Sequence, residues 1–384
     1  MNILVMNSGS STLKLALYKF DSQSSDCDSN AVWSAAGDVH WEEMSEAEQE
    51  RAVTGMLAGK LPVALPEVEA VGHRVVHGGD QYAGPVLIDS QVESDIERFA
   101  QFAPVHNPIN LRGIRIAGKL FPAARQVAVF DTAFHSSLPA HAYIYPVPYA
   151  WHEDWGIRRY GFHGISHAYA SRRAAELLGR PASSLRVITC HLGNGCSLAA
   201  VAGGVCLDTT MGFTPLEGLM MGNRSGSVDP GMLLHLLRQG KCSVDELNET
   251  LNYGSGLEGV SGISSDMREI ESRMAAGNTR ARLAFYIFVH RLRASVAAMT
   301  ASLGGLDALV FTAGMGENSR VVREEACAGL GFLSVELDPD KNAATGSDDV
   351  DISTASSPVR VLVVHAREDL EIARGCLDVT KGRV

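Results

Sequence analysis

The stretch Ile3-Leu4-Val5-Met6-Asn7-Ser8-Gly9-Ser10-Ser11-Thr12-Leu13-Lys14 decides the fold. Its four apolar residues read as a buried strand and Asn7 to Thr12 as a polar turn. Leu13 to Tyr18, alternating around Lys14, reads as a strand running back. About half a chain later the pattern returns. Arg186 to Cys190 is strand-like, His191-Leu192-Gly193-Asn194-Gly195 is a glycine-bearing turn, and Cys196 to Val201 is apolar again. Two strand–turn–strand units at that separation predict a duplicated architecture. A third segment differs. Ala308 to Thr312 reads as a buried strand, followed by the glycine turn Ala313-Gly314-Met315-Gly316-Glu317-Asn318-Ser319 and a helical stretch from Arg320 to Gly329. Strand, glycine turn and helix start together suit a phosphate or nucleotide, because free N–H groups and the helix dipole face the anion.

At 384 residues the chain exceeds one small core, which predicts two domains. Hydrophobic residues at 46% and charged residues at 20% are those of a globular protein and argue against disorder. A net charge of −11 argues against nucleic-acid and anionic-membrane partners, so an anionic substrate needs a local basic pocket. The N-terminus carries no basic segment followed by a long apolar one, and no apolar run is long enough to cross a bilayer. Seven cysteines, from Cys27 to Cys376 with no Cys-x-x-Cys pair, fit reduced thiols in a cytoplasm better than a disulfide framework or a zinc site. Asp21 to Asn30 and Gly346 to Pro358 read as surface loops without catalytic content. Arg280 to Leu303 reads as a long, largely buried helix, and Val359 to Val364 as a last strand before a short closing helix.

Several familiar motifs fail their context. Gly-x-x-x-x-Gly-Lys-Ser/Thr is absent, which argues against a P-loop enzyme. Gly254-Ser255-Gly256-Leu257-Glu258-Gly259 matches a dinucleotide fingerprint in letters only: polar Asn252-Tyr253 precedes it, and no clear helix opens on it. The pairs His73/His77 and His163/His167 have the spacing of metal ligands on a helix. Glycines sit in or beside both, however, and His-Glu-x-x-His is absent. For His77 and His167 the reading is packing or hydrogen bonding in loops. His163 is set apart by its company of dense blocks: Gly72-His73-Arg74-Val75-Val76-His77-Gly78-Gly79, Val129-Phe130-Asp131-Thr132, Tyr160-Gly161-Phe162-His163-Gly164, Asp208 to Gly218, Met221-Gly222-Asn223-Arg224-Ser225-Gly226 and Ser264-Ser265-Asp266-Met267-Arg268.

On these blocks the chain resembles the acetate kinase family from Asn7 to Glu368, with Thr209 to Gly226 and the Asn7 to Lys14 turn as the most specific signatures. The resemblance implies an α/β fold of two duplicated ribonuclease H-like (actin-like ATPase) domains, with mixed sheets flanked by helices and a cleft between them. It places the domains at 1–138 plus 370–384 and at 139–369, the second binding nucleotide. It further implies a Mg2+-dependent, reversible phosphoryl transfer between ATP and acetate, with Mn2+ as a substitute metal, in a cytoplasmic homodimer.

By the same resemblance Arg74 and Arg224 hold the carboxylate and the phosphoryl in flight, roles that suit arginine's planar fork. His163 donates to an equatorial oxygen. Asn7 and Glu368 take the magnesium-associated positions, and Lys14 contacts phosphate. The nucleotide is bordered by His191, Leu192, Gly193, Asn194 and Gly195, by Asp266, Met267 and Arg268, and by Gly314, Met315, Gly316, Glu317 and Asn318. Asp131 takes the family's acid–base position. Yet a small carboxylic acid with a pKa of about 4.3 is already ionised at neutral pH and needs no base. Asp131 is therefore expected to orient an arginine or a metal-bound water. Asn223 and Ser227 replace the family's usual threonine and aspartate, Cys196 its alanine, Ile165 its threonine, and Ala366-Arg367-Glu368-Asp369 its Thr-Asn-Glu-Glu. These departures leave open a propionate or other short-acyl kinase and a pyrophosphate-using variant. A non-catalytic nucleotide-binding switch would have no need of Arg74, Asp131, His163 and Arg224 together.

Overall fold

The computed structural model describes residues 1–9, 12–20, 31–39, 41, 44–57 and 61–383. The serine-rich loop at 21–30 and the middle of the first turn lie outside them. The chain divides into two compact units, one of residues 1–136, 164–166 and 367–384, the other of 137–163 and 167–366.

In the first unit β1 (Asn2–Ser8), β2 (Thr12–Lys19), β3 (Trp33–Asp38), β4 (Ala70–Val75), β5 (Val86–Leu87) and β6 (Arg125–Phe130) form a mixed sheet in the order β3-β2-β1-β4-β6-β5. Strand β1 is apolar on both faces because the sheet is covered on both; Ile3, Leu4 and Val5 are wholly buried. The C-terminal helix Glu368–Thr380, thirteen residues long, packs on β1, β4 and β6. Its close approach explains a glycine inside a strand. A Cβ on Gly72 would fall 2.5 Å from Cys376 Sγ and 2.7 Å from Ile372 Cγ2.

In the second unit β7 (Arg186–Leu192), β8 (Cys196–Ala202), β9 (Val205–Thr209), β10 (Ala308–Thr312), β11 (Val350–Asp351) and β12 (Arg360–Val363) take the order β11-β12-β10-β7-β8-β9. Read from the other edge this is the first sheet again. β7 and β8 correspond to the β1–β2 hairpin, and the parallel neighbours β10 and β12 correspond to β4 and β6. The duplication expected from the two turns is therefore present in strand order and pairing sense. The third glycine segment is not a third hairpin but follows the parallel neighbour. The long helix Thr279–Leu303 buries Phe285, Phe288, Leu292 and Val296 against this unit's core.

Four local readings need correction. After Thr312 there is no open glycine turn, because the short helix Ala313–Asn318 starts at once, with Ala313 at φ 63°. A helix, Gly256–Ser261, does open on the second glycine of the 254–259 segment, though a helix and not a strand precedes it. His167 lies in the helix Gly164–Leu178, not in a loop. Finally, 346–358 is not merely surface: it contains β11, buries Ile352, and pairs Asp349 with Arg173 at 2.7 Å. Polar composition hid an edge strand there, where one pairing partner suffices.

Candidate active site

In the first unit the ends of two parallel strands set the chemistry. Arg74 sits near the end of β4, opposite Val129 of β6, and Asp131 follows β6 directly, its N–H donating to Val75 O at 2.9 Å. This adjacency produces a forked ion pair. Arg74 Nε lies 3.2 and 3.1 Å from the two Asp131 oxygens, and Nη2 lies 2.5 Å from Oδ2. The Asp131 side chain is 2% exposed and that of Arg74 19%. Burial acts against the Arg74 charge, but Asp131, then Glu368 and Asp369, more than offset it and hold the guanidinium above its ordinary range.

Asn7 on β1 faces Lys14 across the hairpin, with Lys14 exposed. The Asn7 amide hydrogen-bonds Asp369, which Lys14 and Arg74 also stabilise as the anion. Even so, burial and the neighbouring Glu368 push the Asp369 carboxyl above its usual range. The first unit thus brings together Asn7, Lys14, Arg74, Asp131 and Glu368, and adds Asp369. It also adds Asn107 and Asn110, buried on the helix Asn107–Leu120. Their side-chain oxygens accept the N–H groups of His77 and Val76 at 3.0 and 3.1 Å, and Asn110 Nδ2 donates to Ser8 O at 3.0 Å. These amides fix the chain just past Arg74. Two asparagines three apart on the buried face of this helix, among Ile109, Leu111 and Ile114, are the available signal.

In the second unit the β7–β8 turn is the organising feature. His163, at φ 56°, caps the Gly164–Leu178 helix in a left-handed conformation that a non-glycine residue rarely takes. Its ring stacks on His191 with centroids 4.1 Å apart. Ser197 Oγ bridges His163 Nδ1 at 2.9 Å and His167 Nε2 at 2.7 Å, and His167 Nδ1 meets Thr189 Oγ1 at 2.7 Å. The chain Thr189–His167–Ser197 therefore orients His163, and Ser197 was not singled out from sequence.

Arg224 approaches the same turn. A Cβ on Gly195 would lie 3.3 Å from His163 Cε1 and 3.5 Å from Arg224 Nη1. Arg224 donates to Pro215 O at 3.1 Å, and among the described residues it has no carboxylate within ion-pair distance. Burial lowers its pKa, with Tyr253 and Cys196 acting weakly the other way. A guanidinium so placed is a ready partner for an anion.

A cavity of about 650 Å³ adjoins the turn, lined by Gly193, Asn194, Asp266, Met267, Arg268, Gly314, Met315 and Asn318, together with Ser265, Glu271 and Ser319. Its size suits a nucleotide-sized ligand. Asp266 caps the helix Met267–Ala275, accepting from Arg268 N at 2.9 Å, and pairs with the exposed Arg268 guanidinium. Leu192 is wholly buried and can offer only backbone. Gly316 and Glu317 do not line the cavity: Gly316 is buried against Phe311 and Cys190, and the Glu317 carboxylate accepts from Ala366 N at 2.8 Å. Arg323, also unforeseen, is fully buried. All its donors reach neutral acceptors, including Gly316 O at 2.9 Å and Glu317 O at 2.7 Å, so it caps the end of the Ala313–Asn318 helix.

Two units of matching strand order are the duplicated fold that the resemblance implies. The acetokinase family profile matches residues 2–374. The chain belongs to this family. An acetate kinase of Synechococcus sp. is 53% identical over 408 aligned positions, covering 100% of both chains. Among solved structures, an acetate kinase of Porphyromonas gingivalis superposes with a TM-score of 0.90 at 37% identity, covering 99% of each chain. A propionate kinase of Francisella tularensis superposes with a TM-score of 0.85 at 36% identity, covering 98% of this chain and 99% of its own. Family membership thus accounts for the whole length of the chain and for the actin-like duplication of its sheets.

Proposed function

We propose that the protein is an acetate kinase, which transfers the terminal phosphoryl of ATP to acetate, reversibly, by direct in-line attack. The observation that carries this reading is Arg224. It is a largely buried cation with no carboxylate partner among the described residues, held beside His163 at the turn whose Gly193 and Asn194 line the nucleotide-sized cavity. Phosphoryl transfer requires positioning and charge stabilisation in the transition state more than covalent help. Arg224 and His163 supply these to the moving phosphoryl. The 191–195 turn, Asp266 to Arg268 and the start of the Ala313–Asn318 helix hold the nucleotide.

Arg74 takes the acetate carboxylate, and Lys14 contacts phosphate. Asp131 orients Arg74 by occupying its fork. The acceptor is already an anion and presents its own lone pair, so no proton has to be removed. The donor set at Asn7, Glu368 and Asp369 fits magnesium. One amide and two carboxylates are hard oxygen ligands, and Asp369 lies close enough to Asn7 and Glu368 to feel both. Magnesium bound there supplies charge neutralisation to phosphate oxygens.

A cytoplasmic homodimer completes the proposal. It is supported by the free thiols of Cys190, Cys196, Cys206, Cys327 and Cys376 and by the helix Pro230–Arg238, which buries no residue and exposes Met232 and Leu234. The test is trapping of acyl phosphate as hydroxamate with ATP and magnesium across formate, acetate, propionate and butyrate. An acetate optimum is expected. A propionate optimum changes the acyl pocket only, whereas no hydroxamate from any acid with either ATP or pyrophosphate refutes the kinase reading.

A further inference from the structure

The segment Gly254-x-Gly256-x-x-Gly259 resembles a phosphate-binding fingerprint, but three of the N–H groups around its helix start are already engaged. The first-turn N–H groups of a helix have no partner within it and are available to whatever lies ahead. Here three neighbouring donors are taken by protein. Ser255 N donates to Asn223 O at 2.9 Å, Leu257 N to Met221 O at 2.9 Å and Glu258 N to Gly222 O at 3.0 Å. The acceptors are the three residues before Arg224. The same loop is held at two further points, by Ser225 N to Leu251 O at 3.0 Å and by Gly222 N to Asn194 O at 3.0 Å. A helix start and the β7–β8 turn therefore grip the arginine loop together.

Gly256 makes that grip possible. Its φ is 63°, and a Cβ there would lie 2.3 Å from Met221 O, 2.8 Å from Arg224 O and 2.8 Å from Gly222 O. Three backbone carbonyls of the loop converge on one α-carbon. No rotation of a side chain can relieve such a contact. Gly254, by contrast, has φ −112°, and its Cβ would meet only Thr250 at 3.6 Å.

We infer that Gly256, through the helix it opens, is a positioning residue for Arg224. It fixes the backbone from which the guanidinium reaches the phosphoryl site, and the motif serves the arginine and not a ligand of its own. This inference rests on the kinase reading above. Gly256→Ala forces Met221 O back by about 0.7 Å, and Gly222 O and Arg224 O by about 0.2 Å, to reach the 3.0 Å that a Cβ needs. Misplacing a transition-state contact by about 1 Å costs about a hundredfold in rate, so a fall in kcat of about ten- to a hundredfold is expected.

The experiment measures kcat and KM(ATP) by hydroxamate trapping for the wild type, Gly256→Ala, Gly254→Ala, Arg224→Lys and the double variant Gly256→Ala/Arg224→Lys. The inference predicts a kcat loss in Gly256→Ala with KM(ATP) within twofold, no change in Gly254→Ala, and little further loss when Gly256→Ala is added to Arg224→Lys. A merely structural glycine would multiply its loss with that of Arg224→Lys, and that result overturns the inference, as does an unchanged kcat. If Gly256→Ala fails to fold, Glu258→Pro takes its place under the same criteria. It deletes one of the three donors, the Glu258 N–H that meets Gly222 O, at an exposed position in the first helical turn. An inactive wild type refutes the kinase reading itself. An active wild type with an indifferent Gly256→Ala refutes only the positioning role.

Discussion

Replacing Asp131 by asparagine keeps the shape of the side chain and removes its charge, which separates an orienting role from a basic one. In the folded protein both Asp131 oxygens are engaged by Arg74, at 2.5 to 3.2 Å, with the carboxylate 2% exposed. Removing one partner of a buried ion pair costs about 3–5 kcal/mol, because the other charge is left uncompensated. Glu368 and Asp369 also act on Arg74, and its side chain keeps 19% of its exposure, so the lower end, about 3 kcal/mol, applies. For a domain of ordinary size that corresponds to a melting temperature lower by about 6–12 °C. The kinetic effect follows from the loosened fork. A hydrogen bond to a charged group is worth about 1.5–3 kcal/mol, so kcat/KM for acetate should fall by about ten- to a hundredfold. The assay is hydroxamate formation from pH 6 to about 9, a range spanning the usual titration limits of a catalytic base, with calorimetry on the same samples. The loss should be the same at every pH. Full recovery of rate at alkaline pH, with the melting temperature unmoved, would falsify the orienting role and restore Asp131 as a base.

Other parts of the site have their own tests. Ser197→Ala removes the hydroxyl shared by His163 and His167 and leaves two ring nitrogens without it, at a cost of about 1–3 kcal/mol. The expected reading is a lower kcat at an unchanged KM for ATP, checked by initial rates. Arg323→Lys cannot reproduce five donors on neutral acceptors, so the end of the Ala313–Asn318 helix should loosen and KM for ATP should rise more than kcat falls. Burial pulls the His73 pKa down to about 4 and the His77 pKa to about 3, both below the unfolded value of about 6.5. The unfolded chain therefore binds the extra protons. Stability is complete above pH 6.5 and is lost as pH falls toward the folded values, by roughly 2 kcal/mol per histidine between pH 7 and 5. Urea melts at those two pH values check this, and a flat dependence from pH 7 to 5 contradicts it.

Much of the fold was legible because its central strands are long apolar runs bounded by glycine. Residues 3–6, 13–18, 186–190, 196–201 and 308–312 were all read as strands and lie within β1, β2, β7, β8 and β10. The strands β4 and β6 were not read as such, although their ends carry Arg74 and Asp131. Ala70-Val71-Gly72-His73-Arg74-Val75 breaks its apolar run with a glycine, a histidine and an arginine, each needed by something outside the strand. Gly72 admits the C-terminal helix, His73 meets Gln126 at 2.8 Å, and Arg74 takes Asp131. Asn107, Asn110, Ser197 and Arg323 escaped notice for the opposite reason. Asn107, Asn110 and Ser197 act by hydrogen bonds to partners tens of residues away, and Arg323 reaches both the nearby helix end and the 342–345 segment, so no local pattern records them. The 254–259 glycines are visible, and their context argues against a dinucleotide site, but letters fix a turn's freedom and not what approaches it.

The two copies of the hairpin show how one local solution takes on two tasks. Asn7 opposes Lys14 across β1 and β2, one pair short of the turn, and His191 opposes Ser197 at the same step across β7 and β8. In the first copy that step holds an amide and an exposed ammonium, the pair proposed above to meet a metal and a phosphate. In the second it holds an imidazole and a hydroxyl, and these face inward, where Ser197 ties His163 to His167 and His191 stacks on His163. The backbone dictates where the pair sits in both cases. Burial decides what it can be: the Lys14 ammonium is exposed to solvent, whereas Ser197 is wholly buried and has to be fully bonded. Exchanging the two would place an ammonium in a dry imidazole network, so the second copy could not have kept the lysine of the first. Divergence at this step is a consequence of which hairpin the following elements cover: the first copy keeps an exposed cation, and the second gives its place to the orientation of a histidine.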